Sequence, residues 1–396
     1  MFAAITSSCP GSWSSPTAAA KRWAAIDEVR AWLQVGPIRQ GTTSIAASRF
    51  EQAVRDLDLP GRFEVMEANI SAACLGTGYC NIGCAYGAKL SALDSVLPWA
   101  QQEHGVDVLA DVEVERIDRQ GGRATRAVGV HKSGERVAIE ADEFVVAAGA
   151  IGSSWLLQRS GIGGDAVGRG LHFNINSPLT ADFPDVVDSF AGIQMSHAYR
   201  AAEGIPGYLV ETWFNPPATQ ALAMPGWFDR HFHNMRRYRH MACAGVLVGT
   251  TTPGRVKPGR HAPEIEYTAS EADRDRVVEG LQVAGRIWLQ AGADRVMPAT
   301  FAWQEYRTAA ALGQLPRRIR ETGDLLLTSA HPQGGNALGD VVDEDFRVRG
   351  FENLYLCDAS VFPTSVHVNP QLTVMGMAQY ASHRILGRRG ALAVAA

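Results

Sequence analysis

Two short segments near the carboxyl end of the chain carry residues that could move a proton and hold an oxygen atom. The first is His331-Pro-Gln-Gly-Gly335 and the second is Val366-His-Val-Asn-Pro370. An imidazole can accept or donate a proton near neutral pH, and an amide such as that of Asn369 can hold an oxygen without competing for the proton. Taken alone, His331 would more often be a turn residue and Asn369 a helix N-cap, so these residues need a second argument.

The elements around these segments indicate how they are positioned. Asn369 and Pro370 predict the start of a helix, because Asn is a favourable N-cap and Pro suits the first helical position. The N-terminus of that helix would favour negative charge beside His367 and Asn369. Upstream, residues 353–357 predict a short apolar strand that runs into the polar triplet Asp358-Ala359-Ser360. In open α/β sheets, ligands bind at such strand ends.

Three segments together resemble the C-terminal block of the glucose-methanol-choline (GMC) family of flavin oxidoreductases: His331-Pro-Gln-Gly-Gly335, Asn353-Leu-Tyr-Leu-Cys-Asp-Ala-Ser360 and Asn369-Pro-Gln-Leu-Thr373. They are most similar to the branch that holds cholesterol oxidase and long-chain alcohol oxidases. The resemblance implies oxidation of a bulky or apolar small-molecule alcohol, with hydride transfer to flavin N5 of FAD and then electron transfer to oxygen or another acceptor. His331 is then the base, Asn369 the residue that orients the substrate, and His367 the reserve catalytic candidate.

A second segment resembles the same family. Residues 143–149 predict an apolar strand that ends in Gly149, residues 150–159 predict a helix, and the run from Gly149 to Gly163 fits the second GMC signature. Gly149 would let the backbone approach the dinucleotide. The resemblance implies that residues from several parts of the chain lie against FAD. These are Gly83, Gly87 and Ser91, Val112 and Val114 on the adenine side, Gly149, and Asp358, Ala359, Asn369, Pro370 and Thr373 at the flavin end.

The dinucleotide fingerprint itself is absent from the sequence, since no predicted strand is followed by G-x-G-x-x-G at the start of a helix. The nearest match, residues 161–166, follows a helix. The chain therefore resembles a GMC protein that lacks its first nucleotide-binding portion. Two interpretations stay open: an FAD-dependent alcohol oxidoreductase whose missing segment a second chain could supply, or a truncated or split protein that is inactive alone. We expect the chain by itself to bind FAD weakly.

Three of the six cysteines, Cys74, Cys80 and Cys84, lie in one Gly-rich loop. Their spacing resembles both the Cys-rich loop of the alcohol-oxidase branch and the iron-sulfur segment of certain GMC glucose dehydrogenase subunits. Iron-sulfur clusters commonly take four cysteine ligands. A structural loop without metal is therefore favoured, and a dehydrogenase subunit with an iron-sulfur cluster stays as a further alternative.

These segments predict an α/β (α+β) fold in which a partial, Rossmann-like FAD-binding domain carries an inserted antiparallel-sheet substrate domain. Residues 1–20 are expected to be disordered, residues 21–70 to form a helical remnant, residues 71–175 and 323–396 to form the FAD-binding domain, and residues 176–322 the substrate domain. Five apolar residues of the substrate domain could line a pocket, although a core position is favoured for any one of them. They are Trp213, Phe214, Met224, Trp227 and Phe228. The run from His231 to His240 is interpreted as a solvated basic face.

Composition sets further limits. A chain of 396 residues, 46% hydrophobic and 20% charged, suits a globular protein of two domains. A net charge of -4 gives no general reason to bind nucleic acid or anionic lipid. No apolar run reaches membrane-spanning length and the N-terminus lacks the features of a signal peptide, which favours a cytoplasmic location.

Overall fold

The computed structural model describes residues 15–39, 41–201, 207–224 and 226–395, with only the backbone described for residues 388–395. Its helices are α1 (Pro16–Trp32), α2 (Ile45–Asp56), α3 (Val96–His104), α4 (Gly149–Arg159), α5 (Pro217–Ala223), α6 (Phe228–Met235), α7 (Glu271–Gln290), α8 (Ala309–Leu312), α9 (Leu315–Arg318) and α10 (Gln371–Ala395). Its strands are β1 (Val35–Pro37), β2 (Arg62–Val65), β3 (Glu67–Asn69), β4 (Val112–Gln120), β5 (Arg123–His131), β6 (Arg136–Glu140), β7 (Phe144–Val146), β8 (Arg169–Asp182), β9 (His197–Arg200), β10 (Leu209–Trp213), β11 (Met241–Gly249), β12 (Gly254–Lys257), β13 (Glu264–Glu266), β14 (Arg295–Pro298), β15 (Pro332–Gly335) and β16 (Leu354–Leu356). None of these helices is both long enough and apolar enough to cross a membrane.

The largest sheet has nine strands in the order β13-β12-β8-β11-β10-β9-β2, and β14 and β15 also pair with β8. All of these pairings are antiparallel. The long strand β8 is the centre of the sheet, because β11 and β14 both pair with its residues 179–182 and must therefore lie on opposite edges. Segments that are far apart in the sequence thus meet along one strand.

The two faces of this sheet differ because successive side chains of a strand point to opposite sides. One face packs against α7, whose Ser270 N-cap and Asp273 form a capping box. Trp288 of α7 is fully buried there, with its ring edge-on to Phe50 at 5.3 Å between centroids. The opposite face carries polar residues and glycines, and it is the face that positions the candidate site. These residues are Asn174 and Asn176 of β8, Glu211 of β10, and Gly245 and Gly249 of β11.

A second region contains the segments expected to hold the dinucleotide. Strands β7 and β16 form a two-stranded parallel sheet, and β4, β5 and β6 form a separate three-stranded antiparallel sheet. The outer edge of β16 is covered by the chain, since Val348 N–H donates to Leu354 O at 2.8 Å. Within the described ranges, β7 has β16 as its only strand neighbour, and its central residue Val145 is 52% exposed.

Several expected boundaries need correction. Helix α1 begins at Pro16, with the Ser15 hydroxyl accepting from Ala18 N–H, so the expectation of disorder is wrong for residues 16–20. A Ser-Pro pair is a favourable helix start, because Ser caps the N-terminus and Pro suits the first helical position. Residues 1–14 lie outside the described ranges. The expected boundary between residues 175 and 176 falls inside β8, and β2 of the expected helical remnant extends the large sheet.

Candidate active site

One buried asparagine holds both segments that the sequence singled out. Asn174 of β8 is fully buried, and its Nδ2 donates to Val368 O at 2.6 Å. Its Oδ1 accepts from the Ser365 hydroxyl, and its backbone oxygen accepts from the Ser329 hydroxyl at 2.7 Å. The segment that precedes His331 and the segment around His367 are therefore anchored to the same residue.

Gln333 ties the two segments together a second time. Its fully buried side chain accepts from Val366 N–H at 3.0 Å, and its Nε2 donates to His331 O at 3.4 Å. The glycines that follow allow close packing within the protein. A Cβ on Gly334 would lie 2.0 Å from Gly170 O, and one on Gly335 would lie 2.5 Å from Ser154 Oγ. Strand β15 thus presses against β8 and α4 with no room for side chains at these two positions.

The environments of His331 and His367 favour neutral imidazoles. Burial lowers the pKa of both rings, and the nearby Arg276 guanidinium lowers the pKa of His367 further. Each Nδ1 is buried and has no hydrogen-bond partner in the described part of the chain. Both rings can therefore accept a proton at neutral pH.

His367 is held in an unusual backbone conformation against the sheet. Its φ of 57° lies in the left-handed region, which is uncommon for a residue with a side chain. A Cβ on Gly249 would lie 2.2 Å from His367 Nδ1, so only glycine at this position of β11 leaves room for the ring. Sparsely populated conformations of this kind concentrate at functional sites.

Asn369 contacts a residue that the sequence reasoning missed. Its Nδ2 donates to Glu211 Oε2 at 3.4 Å, across a separation of 158 positions. Glu211 is 4% exposed, and burial raises its pKa to about 7, an effect that the Asn369 hydrogen bond partly opposes. Its second oxygen, Oε1, is buried without a partner in the described chain. The available signal was a single acidic residue inside the apolar strand β10, since a carboxylate is rarely buried without a purpose.

Two of the residues predicted to lie against FAD, Gly149 and Asp358, contact each other in the structure. Gly149, with φ of 78°, donates its N–H to Asp358 Oδ2 at 2.9 Å although the two residues are 209 positions apart. The Ser153 hydroxyl and Ser360 N–H donate to the same carboxylate. Asp358 thus joins the N-terminus of α4 to the short 3-10 helix Ala359–Val361, at the ends of the parallel strands β7 and β16.

The remaining predicted cofactor residues lie in three other places. Gly83 and Gly87 both have positive φ in the loop of residues 71–95, where the Ser91 hydroxyl donates to Asp94 at 2.6 Å. Val112 and Val114 lie in β4, which pairs with β5. Pro370 and Thr373 are buried at the start of α10. Helix α10 begins at Gln371, close to the start that Asn369 and Pro370 predicted. The Asn369 side chain donates a hydrogen bond to Glu211.

The cysteine loop does not assemble a ligand set. Among the described residues, no group of three or more His, Cys, Asp or Glu side chains could hold a metal ion, which leaves the iron-sulfur alternative for Cys74, Cys80 and Cys84 without support. The thiols of Cys80 and Cys84 differ in environment. Burial raises the pKa of Cys80, and the backbone N–H groups of Lys89 and its neighbours lower the pKa of Cys84.

Comparison with known proteins identifies the class. Two models described as GMC oxidoreductase match residues 13–176 and 251–378, so between them they cover most of the chain. The chain belongs to the GMC oxidoreductase family. The match confirms the resemblance on which the sequence analysis relied.

Individual relatives sharpen this placement. An uncharacterised GMC-type oxidoreductase of Mycobacterium tuberculosis is 31% identical over 311 residues, which are 77% of this chain and 49% of that protein. A long-chain-alcohol oxidase of Arabidopsis thaliana is 26% identical over 347 residues, 78% of this chain and 46% of that protein. An oxygen-dependent choline dehydrogenase of Pseudomonas putida is 26% identical over 356 residues, 76% of this chain and 60% of that protein. The chain thus spans about half the length of the first two relatives.

Solved structures agree on the fold. Pyridoxine 4-oxidase from Mesorbium loti superposes with a TM-score of 0.64 at 18% identity, covering 88% of this chain and 71% of that one. Formate oxidase from Aspergillus oryzae superposes with a TM-score of 0.68 at 13% identity, covering 90% and 72%. The mixed α/β fold of an FAD-dependent GMC oxidoreductase is therefore confirmed, and FAD is the cofactor that goes with this family.

Proposed function

We propose that the chain forms the substrate-binding and catalytic part of an FAD-dependent oxidoreductase that oxidises the CH–OH group of an apolar alcohol. The observation that carries this proposal is the hydrogen bond from Asn369 to the buried Glu211. Asn369 lies two residues after His367, whose imidazole is neutral. The anchor residues Asn174 and Gln333 join that segment to His331.

Alcohol oxidation needs one group that accepts the hydroxyl proton and one that fixes the oxygen. FAD, when bound, supplies the hydride acceptor at flavin N5. We assign the proton to His331, whose burial keeps it neutral, with His367 as the reserve acceptor. The Asn369 amide holds the substrate oxygen while it remains close to Glu211.

Glu211 adds a second acceptor that the sequence did not reveal. With a pKa of about 7, its carboxyl group is divided between the charged and neutral forms near neutral pH. Proton acceptors work best when their pKa lies near the working pH. Glu211 could therefore take the proton from the histidine, or directly from a substrate hydroxyl held by Asn369.

The residues around Gly149 fit a dinucleotide. Gly149 has a left-handed φ, and a Cβ built on it would meet no atom within 4 Å, so its backbone is open to close approach. The N-terminus of α4 lies there. We propose that Gly149, Asp358 and Ala359 hold the flavin side together with Asn369, Pro370 and Thr373. Gly83, Gly87, Ser91, Val112 and Val114 complete the proposed FAD contacts.

The open edge of β7 supports a further part of the proposal. Parallel sheets are normally buried and consist of more than two strands, yet Val145 is half exposed and the neighbouring edge is unpaired within the described ranges. We propose that a further parallel strand, followed by a glycine-rich turn and a helix, completes the cofactor site. A second chain is one source of that strand. The alternative function, a split protein that is inactive alone, rests on the same observation.

The substrate class is inferred from an apolar cavity in the region of the nine-stranded sheet, which we call the substrate side. A cavity of about 480 Å³ is lined by Met224, Trp227, Phe228, Phe301 and Leu326, among others. This volume suits an alkyl chain or a fused ring system. The relatives include a long-chain-alcohol oxidase and a choline dehydrogenase, and the apolar lining favours the first substrate type.

The test is anaerobic bleaching of flavin absorbance in the chain supplied with FAD and with a strand–GxGxxG–helix segment. We expect bleaching by a long-chain primary alcohol or a sterol and little by choline. The variants Asn369→Ala and His331→Asn should slow it by about a hundredfold or more, in line with the loss of a general base. The control His131→Asn, on β5, should not. Equal bleaching by choline, or full activity of both variants, would contradict the assignment.

A further inference from the structure

A group of large apolar side chains is exposed at one end of the substrate side. We call it the aromatic patch, and it consists of Leu222, Trp227, Phe228, Phe232 and Phe301. Phe228 is 92% exposed, Leu222 83% and Trp227 75%. Leu222, Trp227, Phe228 and Phe301 line one cavity, and Phe232 lies one helical turn beyond Phe228 on α6. Contiguous exposed apolar surface of this kind marks an interaction site.

Two residues beside the patch, Gly226 and Arg230, contact the Trp303 ring. Gly226, with φ of 98°, leaves a Cβ position only 3.1 Å from the Trp303 ring, and the Arg230 guanidinium lies 4.9 Å from the centroid of the same ring. Met224 is buried below. Phe228 has φ of 50°, a costly conformation for an aromatic residue. Gly226 and Arg230 thus pack against the Trp303 ring, whereas the Trp227 and Phe228 side chains are exposed.

The charges beside the patch are mostly basic. From residue 228 to residue 236 the chain carries Arg230 and Arg236 against the single acid Asp229, a balance of +1 with His231 and His233 counted as neutral. The next two arginines are directed to other partners, since Arg237 pairs with Asp182 and Arg239 with Asp188. This local balance contrasts with the net charge of -4 for the chain.

We propose that the aromatic patch docks the protein on an anionic phospholipid surface. A short amphipathic helix with Trp, Phe and Leu on one side and basic residues beside them lies in the interfacial plane of a bilayer. A second copy of this chain fits less well, because a two-fold contact through the patch would bring Arg236 and its basic neighbours toward their own copies.

Helix α5, which carries Leu222 of the patch, packs on the same face of the large sheet as Glu211. Gln220 of α5 lies against Thr180 and Cys243, which are two residues along β8 and β11 from Pro178 and Gly245. Gly245 pairs with Glu211. An apolar alcohol dissolved in the bilayer could then enter the cavity without crossing water. This last step rests on the proposed function, whereas docking itself does not.

The experiment is flotation of the full chain with vesicles of phosphatidylcholine alone and of phosphatidylcholine mixed with phosphatidylglycerol. We expect the chain to float with the mixed vesicles and at least about tenfold less with phosphatidylcholine alone, with binding that falls as salt is added. Flotation requires neither cofactor nor turnover. Its failure is therefore distinguishable from failure of the proposed reaction.

Variants locate the contact. The double variant Trp227→Ser/Phe228→Ser should lower vesicle binding by about a hundredfold, because two exposed rings lose their burial in lipid. Arg230→Glu/Arg236→Glu should remove the preference for phosphatidylglycerol. The control Ile265→Ser changes an exposed apolar residue of β13 and should leave binding unchanged. Circular dichroism verifies that each variant is folded.

Three results would overturn the proposal. The first is absence of flotation with either vesicle, and the second is flotation that the double variant retains. The third is a wild-type dimer in light scattering that Phe228→Ser converts to a monomer, since this would assign the patch to a second copy.

Discussion

The nine-stranded sheet and the β7–β16 sheet differ in how completely the described chain buries them. Every residue of β11, in the middle of the large sheet, is buried between α7 on one face and the site residues on the other. Strand β7 has one partner and leaves Val145 half exposed between the buried Phe144 and Val146. The middle of the nine-stranded sheet is therefore buried on both faces. The region of the β7–β16 sheet, which we call the cofactor side, presents a strand edge and apolar surface that suit a further strand or helix.

The difference also separates two kinds of functional residue. On the substrate side, Asn174, Gln333 and Glu211 are buried and positioned by strand pairing. On the cofactor side, Gly83 and Gly87 lie in a loop whose Leu75, Ile82 and Tyr86 are exposed. The proposed catalytic residues are thus positioned by buried strands, whereas the proposed cofactor contacts lie on a loop with exposed apolar side chains.

The largest expected effect is a difference in the free energy of unfolding between alanine variants of two tryptophans, one in each region. Trp288 is fully buried against Phe50 and Phe183, and Trp288→Ala should lower the free energy of unfolding by about 3–5 kcal/mol. Trp99 of α3 is 46% exposed on the cofactor side, and Trp99→Ala should cost at most about 1 kcal/mol. Urea unfolding followed by circular dichroism measures both. Equal losses would remove the contrast between the two regions.

Completing the cofactor side should change FAD affinity next most strongly. We expect the chain alone to bind FAD weakly, and a supplied strand–GxGxxG–helix segment to tighten binding by about a hundredfold, equivalent to about 2.7 kcal/mol. A segment in which the three glycines are replaced by alanine is the matched control and should not tighten binding. Titration by flavin fluorescence gives the values. Tight stoichiometric binding of FAD by the chain alone would show that the cofactor side needs no further segment.

The pH dependence of stability tests Glu211 on the substrate side. Burial raises its pKa to about 7 from 4.5, so between these values the folded chain holds a proton that the unfolded chain has released. The free energy of unfolding should therefore fall as pH rises through this window, by roughly 3 kcal/mol. The lowered pKa values of His331 and His367 act in the opposite direction up to about pH 6.5.

The difference between wild type and Glu211→Gln isolates the glutamate from the histidines. Thermal unfolding at a series of pH values should show that the variant lacks the decline above pH 4.5. The control Glu113→Gln, on the exposed part of β4, should follow the wild type. A variant with the same decline as the wild type would show that Glu211 is not the buried acid we describe.

The smallest expected effect concerns helix starts in the two regions. The Ser270 side chain caps α7 through Asp273 N–H at 3.1 Å, and Ser270→Ala should cost about 1 kcal/mol. Ser95 precedes α3 on the cofactor side and makes no side-chain cap hydrogen bond, so Ser95→Ala should cost less than about 0.5 kcal/mol. Urea midpoints compare the two. A larger loss for Ser95 would mean that its bond to Ser91 O stabilises the loop more than a cap does.

The sequence by itself determined the features that depend on neighbouring residues. Helix α7 begins at Glu271 after the Ser270 N-cap and buries Val277, Leu281 and Trp288. Its capping box and the spacing of its apolar residues are both local features of the sequence. The passage from strand β7 through Gly149 into helix α4 was also predictable, because a local apolar run ends there in glycine. The motifs around His331 and Asn369 were sufficient to place the chain in its family. Local patterns carry these features because hydrogen bonds and side-chain spacing within one element decide them.

Only the tertiary structure decided which residues meet at the site. Asn174 reaches Val368 across 194 positions, and Asn369 reaches Glu211 across 158. Strand register sets these contacts, because a shift of one residue would turn Asn174 and Glu211 to the α7 face. A single sequence does not specify that register. In the sequence, Glu211 is an isolated acidic residue in an apolar strand. The pairing of β10 with β11 places it on the face where it is buried, partly protonated and bonded to Asn369.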